Sequence, residues 1–202
     1  MRLVAVGCSW GGLAALTTLL GGLPPDLDAA VVVVQHRGPD ESQLGNLLHE
    51  RSALPVREVE DKDEIVPRRV FLGPPGYHLL IERGAFALST DAPVNHARPS
   101  LDVLFETAAE AYGRDCIGVV LTGASADGAA GLARIADAGG AALVQDPRTS
   151  ERHEMPAAAL AAASGSISLP LDLIAPAIAD ICSSGATASV RADLRSGARP
   201  AA

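Results

Sequence analysis

At 202 residues and 48% hydrophobic, the chain is long enough to bury the core of one large domain. Its formal net charge of -8, without any Lys/Arg cluster, argues against nucleic acid or an anionic membrane as partner, because both demand a concentrated positive face. Aromatic content is 3%, so Val, Leu, Ile and Ala must build the interior, which favours buried strands and close-packed helices.

The chain opens on RLVAVG (2 to 7), a continuous apolar run that predicts a strand covered on both faces. That run is too short for a signal-peptide core ahead of Cys8, which needs about 7 to 15 residues, so export is not expected. GCSWGG (7 to 12) then turns the chain into a helix over 12 to 20. AAVVVVQ (29 to 35) predicts a second strand and ends at Gln35-His36. A helix near 42 to 50 follows, then a weaker strand in VREVE (56 to 60) and a firmer one in RRVFLG (68 to 73). YHLLIERGAFALST (77 to 90) alternates about Arg83-Gly84 and predicts an antiparallel hairpin.

In RPSLDVLFETAAEAYG a Pro-Ser entry precedes Leu101, Leu104, Phe105 and Ala108 at helical spacing, and Gly113 is the stop, which predicts a helix over 99 to 112. CIGVVLTG (116 to 123) and AALVQ (141 to 145) predict further strands, separated by a helix over 128 to 138. Helices over 156 to 163 and 172 to 183 complete the scheme. Beyond residue 184 the composition turns to Ser, Gly, Ala and Arg without periodicity, so 185 to 202 is expected to be a disordered tail. Strands alternating with helices predict an α/β fold: a doubly wound, mostly parallel sheet with one antiparallel hairpin and helices on both faces. Cys8, Cys116 and Cys182 are too scattered for a disulfide framework or a metal knuckle, and a reducing cytoplasm fits. No stretch is long enough to span a bilayer, so membrane insertion is not expected.

GCSWGG has three physical meanings to separate. A Walker loop needs GK[ST], and no Lys follows Gly11-Gly12. A dinucleotide loop needs an acid ending the second strand, where Gln35 and His36 stand. Neither phosphate loop survives. Gly7-Cys8-Ser9-Trp10-Gly11 does satisfy G-x-S-x-G between a strand and a helix, the turn that exposes a nucleophilic serine beside helix N-terminal N–H groups. The plainer alternative makes Ser9 the N-cap of the helix at 12 to 20.

His36 favours the nucleophile. A parallel sheet gathers the carboxyl ends of its strands at one edge, so the residue closing strand two can reach the turn closing strand one. Ser9 needs such a base. A carboxylate should then orient the imidazole, and Asp127 and Asp146 both stand at strand ends. Each could equally be a cap or an Asx turn, and spacing does not choose between them. The Ser, acid, His order of the α/β-hydrolase fold does not match.

VAVGCSWGGLAAL, VVVVQHRGPD, VFLGPPGYHLLI, VNHARPSLDVLF, GVVLTGASADGAAGL and AGGAALVQDPRTSERHEMPAAAL run in order, and together they resemble the catalytic domain of CheB-type protein-glutamate methylesterases of bacterial chemotaxis. The resemblance covers roughly residues 2 to 182. It implies a catalytic triad of Ser9, His36 and Asp127, since the family's acid lies in the motif matching LTGASADGA. It also implies a mostly parallel α/β sheet and hydrolysis of γ-glutamyl methyl esters on chemoreceptor helices, releasing methanol; many members also deamidate receptor glutamines. No metal or organic cofactor is implied. The implied partner is a methylated chemoreceptor or receptor-like signalling protein.

Three departures stand out. Family members usually carry Thr where this chain has Trp10 and Met where it has Ala124, and GMPR appears as EMPA, with Glu154 and Ala157. The family's receiver domain usually precedes the catalytic motifs, whereas this sequence opens directly on them, so a receiver on a separate protein is the expected regulator. Two alternatives to a methylesterase remain open at this point: a receptor-binding module of the same fold without turnover, and an esterase or amidase with another substrate.

Overall fold

The computed structural model describes residues 1–38 and 44–184. The expected tail at 185 to 202 and the start of the helix expected at 42 to 50 lie outside those residues. Seven parallel strands form the main sheet: β1 (Arg2–Cys8), β2 (Ala29–Gln35), β3 (Val56–Glu58), β4 (Arg69–Leu72), β7 (Cys116–Val120), β8 (Ala141–Gln145) and β9 (Ile167–Leu169). Their order across the sheet is β3-β4-β2-β1-β7-β8-β9. β5 (His78–Glu82) and β6 (Ala85–Ser89) pair antiparallel as a separate hairpin. The helices are α1 (Gly12–Gly21), α2 (Leu44–His49), α3 (Leu101–Tyr112), α4 (Ala129–Asp137), α5 (Glu154–Ala162) and α6 (Leu171–Ser184).

The continuous apolar strands are continuous because both faces are covered. Val4, Val6, Val31 and Val33 pack with Leu16, Leu19, Ile174 and Ile178 of α1 and α6. Their neighbours Leu3, Ala5, Val32 and Val34 face the other way, onto Leu104 and Phe105 of α3, Leu132 of α4 and Phe86 of the hairpin. Each such Val contributes about 1.5–3 kcal/mol by leaving water. A charge at Val32, 0% exposed in the middle of β2, would have no partner and would break the domain.

The chain runs from β1 to β2, out to the edge strand β3, back to β4 between them, and then to β7 on the other side of β1. The direction therefore switches between β1 and β7, which is where an open parallel sheet leaves a crevice at its carboxyl edge. The expected fold is the observed one, with two differences. β7 stops at Val120 rather than running to Gly123, because residues 121 to 123 leave the ladder: Leu121 N donates to Gly7 O, Ser9 N to Thr122 O and Gly123 N to Arg152 O. β9, three residues in ISL, was not foreseen; it is too short to carry a period.

Candidate active site

β1 delivers Ser9 to the crevice and β2 delivers His36 beside it. Cys8 pairs with Gln35 in register, and His36 N donates to Cys8 O at 3.1 Å, so the backbones on either side of the two residues are locked together. The turn after Ser9 is made by Gly11, whose φ of 77° is left-handed and comfortable for glycine. Gly11 is also the N-cap of α1, so Ser9 does not cap that helix and its hydroxyl is free for other work. On the far side, Gly123 lets the β7 loop approach closely. A Cβ there would lie 2.6 Å from Met155 Sδ and 3.0 Å from Ser9 Cβ. Thr122 Oγ1 ties this loop to the turn, 3.0 Å from Trp10 O, while accepting from Arg152 N at 2.9 Å.

The loop after β7 brings Asp127 to His36. Nε2 of His36 lies 2.7 Å from Asp127 Oδ2, and the carboxylate is 1% exposed. Four further donors converge on it: Leu101 N at 2.7 Å, Ser100 Oγ at 2.7 Å, Asn95 Nδ2 at 3.1 Å and Asp102 N at 3.2 Å. Two of these are the first N–H groups of α3, which lack intrahelical partners and sit at the positive end of the helix dipole. Asp127 thus does for α3 what Ser100, its N-cap residue, does not, since Ser100 makes no side-chain cap and donates to Asp127 instead. Burial pushes the Asp127 carboxyl up, but the hydrogen bonds from His36, Leu101, Ser100 and Asn95 outweigh it and hold the group below the usual carboxylate value. It is a buried anion with its lone pairs taken.

With Asp127 accepting from Nε2, that nitrogen carries the proton and Nδ1 of His36 is the basic one. No hydrogen bond joins Ser9 Oγ to the ring; such links often form only when substrate binds. The imidazole side chain is 17% exposed, so it reaches the cleft while its far nitrogen stays dry.

The cleft itself measures about 590 Å³ and is lined by Ser9, Trp10, Gln35, His36 and Glu151, with the first turn of α1. Trp10 is 65% exposed, and its indole Nε1 donates to Glu151 Oε1 at 3.0 Å. Ala124, another of the departures, is exposed. Cys8, next to Ser9 in sequence, is fully buried, and burial pushes its thiol well above the ordinary range, so it is no rival nucleophile.

Ser9, His36 and Asp127, chosen from sequence, are therefore gathered at one place. Asp146, the competing acid, is elsewhere: it caps the 3-10 turn Pro147–Thr149 through Arg148 N and pairs with the Arg148 guanidinium at 2.6 Å. Residues not foreseen are Asn95, Ser100 and His78. Asn95, with φ of 51°, bridges Asp127 and Asp102. His78 accepts from Ser100 N at 3.2 Å and so steadies the residue that donates to Asp127. An Asn ahead of a Pro-Ser helix entry was the available signal, since Asn tolerates the left-handed turn found there. Among the described residues there is no cluster of three or more His, Cys, Asp or Glu side chains fit to hold a metal ion, and no helix long and apolar enough to cross a membrane.

A doubly wound parallel sheet with a hydroxyl, an imidazole and a buried carboxylate gathered at its switch point is the arrangement of a hydrolase. The chain belongs to the CheB methylesterase family, whose sequence profile matches residues 4–178. A Leptospira interrogans protein provisionally named protein-glutamate methylesterase/protein-glutamine glutaminase is 44% identical over 174 residues, 85% of this chain and 90% of that protein. A protein of Anaeromyxobacter dehalogenans with the same name, without the qualifier, is 42% identical over 182 residues, and this chain spans 53% of its length. The crystal structure of the Thermotoga maritima CheB methylesterase catalytic domain superposes with a TM-score of 0.85 at 31% identity, covering 89% of this chain and 98% of that one.

Proposed function

We propose that residues 1–184 form a protein-glutamate methylesterase that works as a serine hydrolase, with Ser9 as nucleophile, His36 as general base and acid, and Asp127 as the group that orients and charges-balances the imidazole. Nδ1 of His36 takes the Ser9 proton as Oγ bonds to the carbonyl carbon of a γ-glutamyl methyl ester. The C–O bond to methoxide breaks, and methoxide leaves as methanol with the proton from His36. Water, deprotonated by the same nitrogen, attacks the acyl-enzyme; the carboxylate departs and Ser9 regains its proton. Asp127 stays ionised throughout and stabilises the transient imidazolium. The N–H groups at the Trp10-Gly11 turn, ahead of α1, supply part of the stabilisation of the oxyanion.

The observation that carries this reading is the 2.7 Å bond from His36 Nε2 to a five-donor carboxylate, which leaves the other ring nitrogen for the serine at the neighbouring strand end. A binding module has no need of a buried, charged carboxylate that orients an imidazole, and Ser9 and His36 both line the open cleft beside an exposed indole tied to Glu151. The substrate that fits the family is a methylated chemoreceptor or a receptor-like signalling protein, met in the cytoplasm. The same steps on a glutamine side chain release ammonia, in keeping with the double name of the relatives.

The test is methanol release from methylated receptor. The purified protein should release it, and Ser9→Ala should lower kcat/KM by about 10⁴-fold or more. Equal rates for the two proteins would remove Ser9 from the mechanism.

A further inference from the structure

The open wall of the cleft holds a carboxylate that nothing in the mechanism uses. Glu151 is exposed and lines the cleft with Ser9, and its Oε1 accepts the Trp10 indole N–H at 3.0 Å. Its other oxygen lies over the turn: a Cβ on Gly11, two residues from Ser9, would be 2.6 Å from Oε2. Cations nearby in sequence are committed elsewhere, Arg148 to Asp146 and Arg152 to Glu154. Among the described residues Glu151 makes no ion pair.

An unpaired carboxylate beside an exposed indole is the chemistry that receives a cation. The ring face attracts positive charge through its quadrupole, and the carboxylate supplies a hydrogen-bond acceptor and a full negative charge. The two are coupled, because donation of Nε1–H to the carboxylate enriches the electron density of the ring. An acidic neighbour of the ester would be repelled by the same wall, and a neutral one would gain only apolar contact with the indole.

We propose that Trp10 and Glu151 form a subsite for a basic side chain, Lys or Arg, on the polypeptide that carries the reacting ester. The subsite rests on the methylesterase reading and narrows it: the preferred methylated glutamate has a cationic residue close enough to reach the far wall of the cleft while the ester carbonyl sits on Ser9.

Peptides containing one γ-methyl glutamate, with Lys or norleucine scanned through the four positions on either side, test this by methanol release. At one or more positions Lys should raise kcat/KM about five-fold over norleucine, the size expected of a partly exposed cation–π contact plus an ion pair. The advantage should shrink in about 0.5 M salt, where screening is short-ranged. Glu151→Gln, which keeps an oxygen for the indole, should bring the Lys-to-norleucine ratio close to one, and Glu151→Lys should turn it below one. Turnover of every peptide without a Lys preference overturns the subsite and leaves the esterase standing. A preference that persists in both Glu151→Gln and Trp10→Leu overturns its assignment to these residues. Release of methanol from no peptide and from no methylated receptor overturns the esterase reading and the subsite with it.

Discussion

Two regions flank Ser9 and His36, a dry wall behind the imidazole at Asp127 and a wet wall in the cleft at Trp10, and they are built on opposite principles. At the Asp127 wall a carboxylate 1% exposed accepts five hydrogen bonds from three segments of the chain, so the position of His36 is over-determined. At the Trp10 wall an indole 65% exposed is held by one hydrogen bond to an exposed glutamate. The dry wall orients the His36 imidazole, which under the proposed mechanism every substrate needs equally. The wet wall touches whatever surrounds the ester, and side chains there can change without disturbing the core. The departures at Trp10 and Ala124 both fall on exposed positions, where change is tolerated.

Breaking the dry wall should have the largest consequence. Asp127→Asn keeps the shape but presents no full negative charge to Nε2 and frees the imidazole to take the wrong tautomer; kcat should fall by about 10⁴-fold with the fold retained, measured by methanol release and circular dichroism. Gly123→Ala acts on the geometry rather than the charge. The new methyl meets Met155 and the Ser9 Cβ, so displacement of Ser9 should lower kcat by about 10- to 100-fold, and overpacking should cost about 1–3 kcal/mol in denaturant unfolding.

Asn95→Gly keeps the left-handed backbone but deletes the amide that separates the Asp102 and Asp127 carboxylates. It should cost about 1–2 kcal/mol of stability, because buried acceptors lose a donor and two anions face one another. The acid limb of stability gives a smaller, pH-dependent signal. Asp127 has a folded-state pKa below its unfolded value, so its contribution is present above the unfolded value of about 3.9 and is lost as pH falls through the folded value. Acid unfolding of Asp127→Asn should therefore be less steep below about pH 4 than that of the wild type. At the wet wall, Trp10→Phe should change stability by about 0.5 kcal/mol or less, since it deletes one exposed hydrogen bond.

The dry wall was partly legible in the sequence and the wet wall hardly at all. Continuous apolar runs at 2 to 7, 29 to 35 and 141 to 145 announce strands covered on both sides, and the parallel-sheet rule then puts Ser9 and His36 at one edge. Local pattern could not separate Asp127 from Asp146, since both follow strands and precede Gly or Pro; the family resemblance chose Asp127, which lies 2.7 Å from His36 Nε2, whereas Asp146 caps the turn at Pro147–Thr149. Asn95, Ser100 and the α3 N–H groups escape because their meeting with Asp127 spans 25 to 32 residues and depends on how α3 docks on β1. The Trp10–Glu151 bond joins residues 141 apart on two exposed loops, where hydrophobic periodicity carries no information. β9 was missed for the opposite reason: three residues at a sheet edge are stabilised by pairing with β8, not by a pattern of their own.

The central claim is that Ser9 is a nucleophile activated by His36, and covalent capture tests it most directly. A fluorophosphonate ester, which loses fluoride to an activated hydroxyl, should add its phosphonyl group to the protein, and peptide mass mapping should place the added mass on Ser9. The same reagent should fail to label His36→Gln at a comparable rate. An adduct on any other residue, or equal labelling of Ser9 with and without His36, would contradict the account.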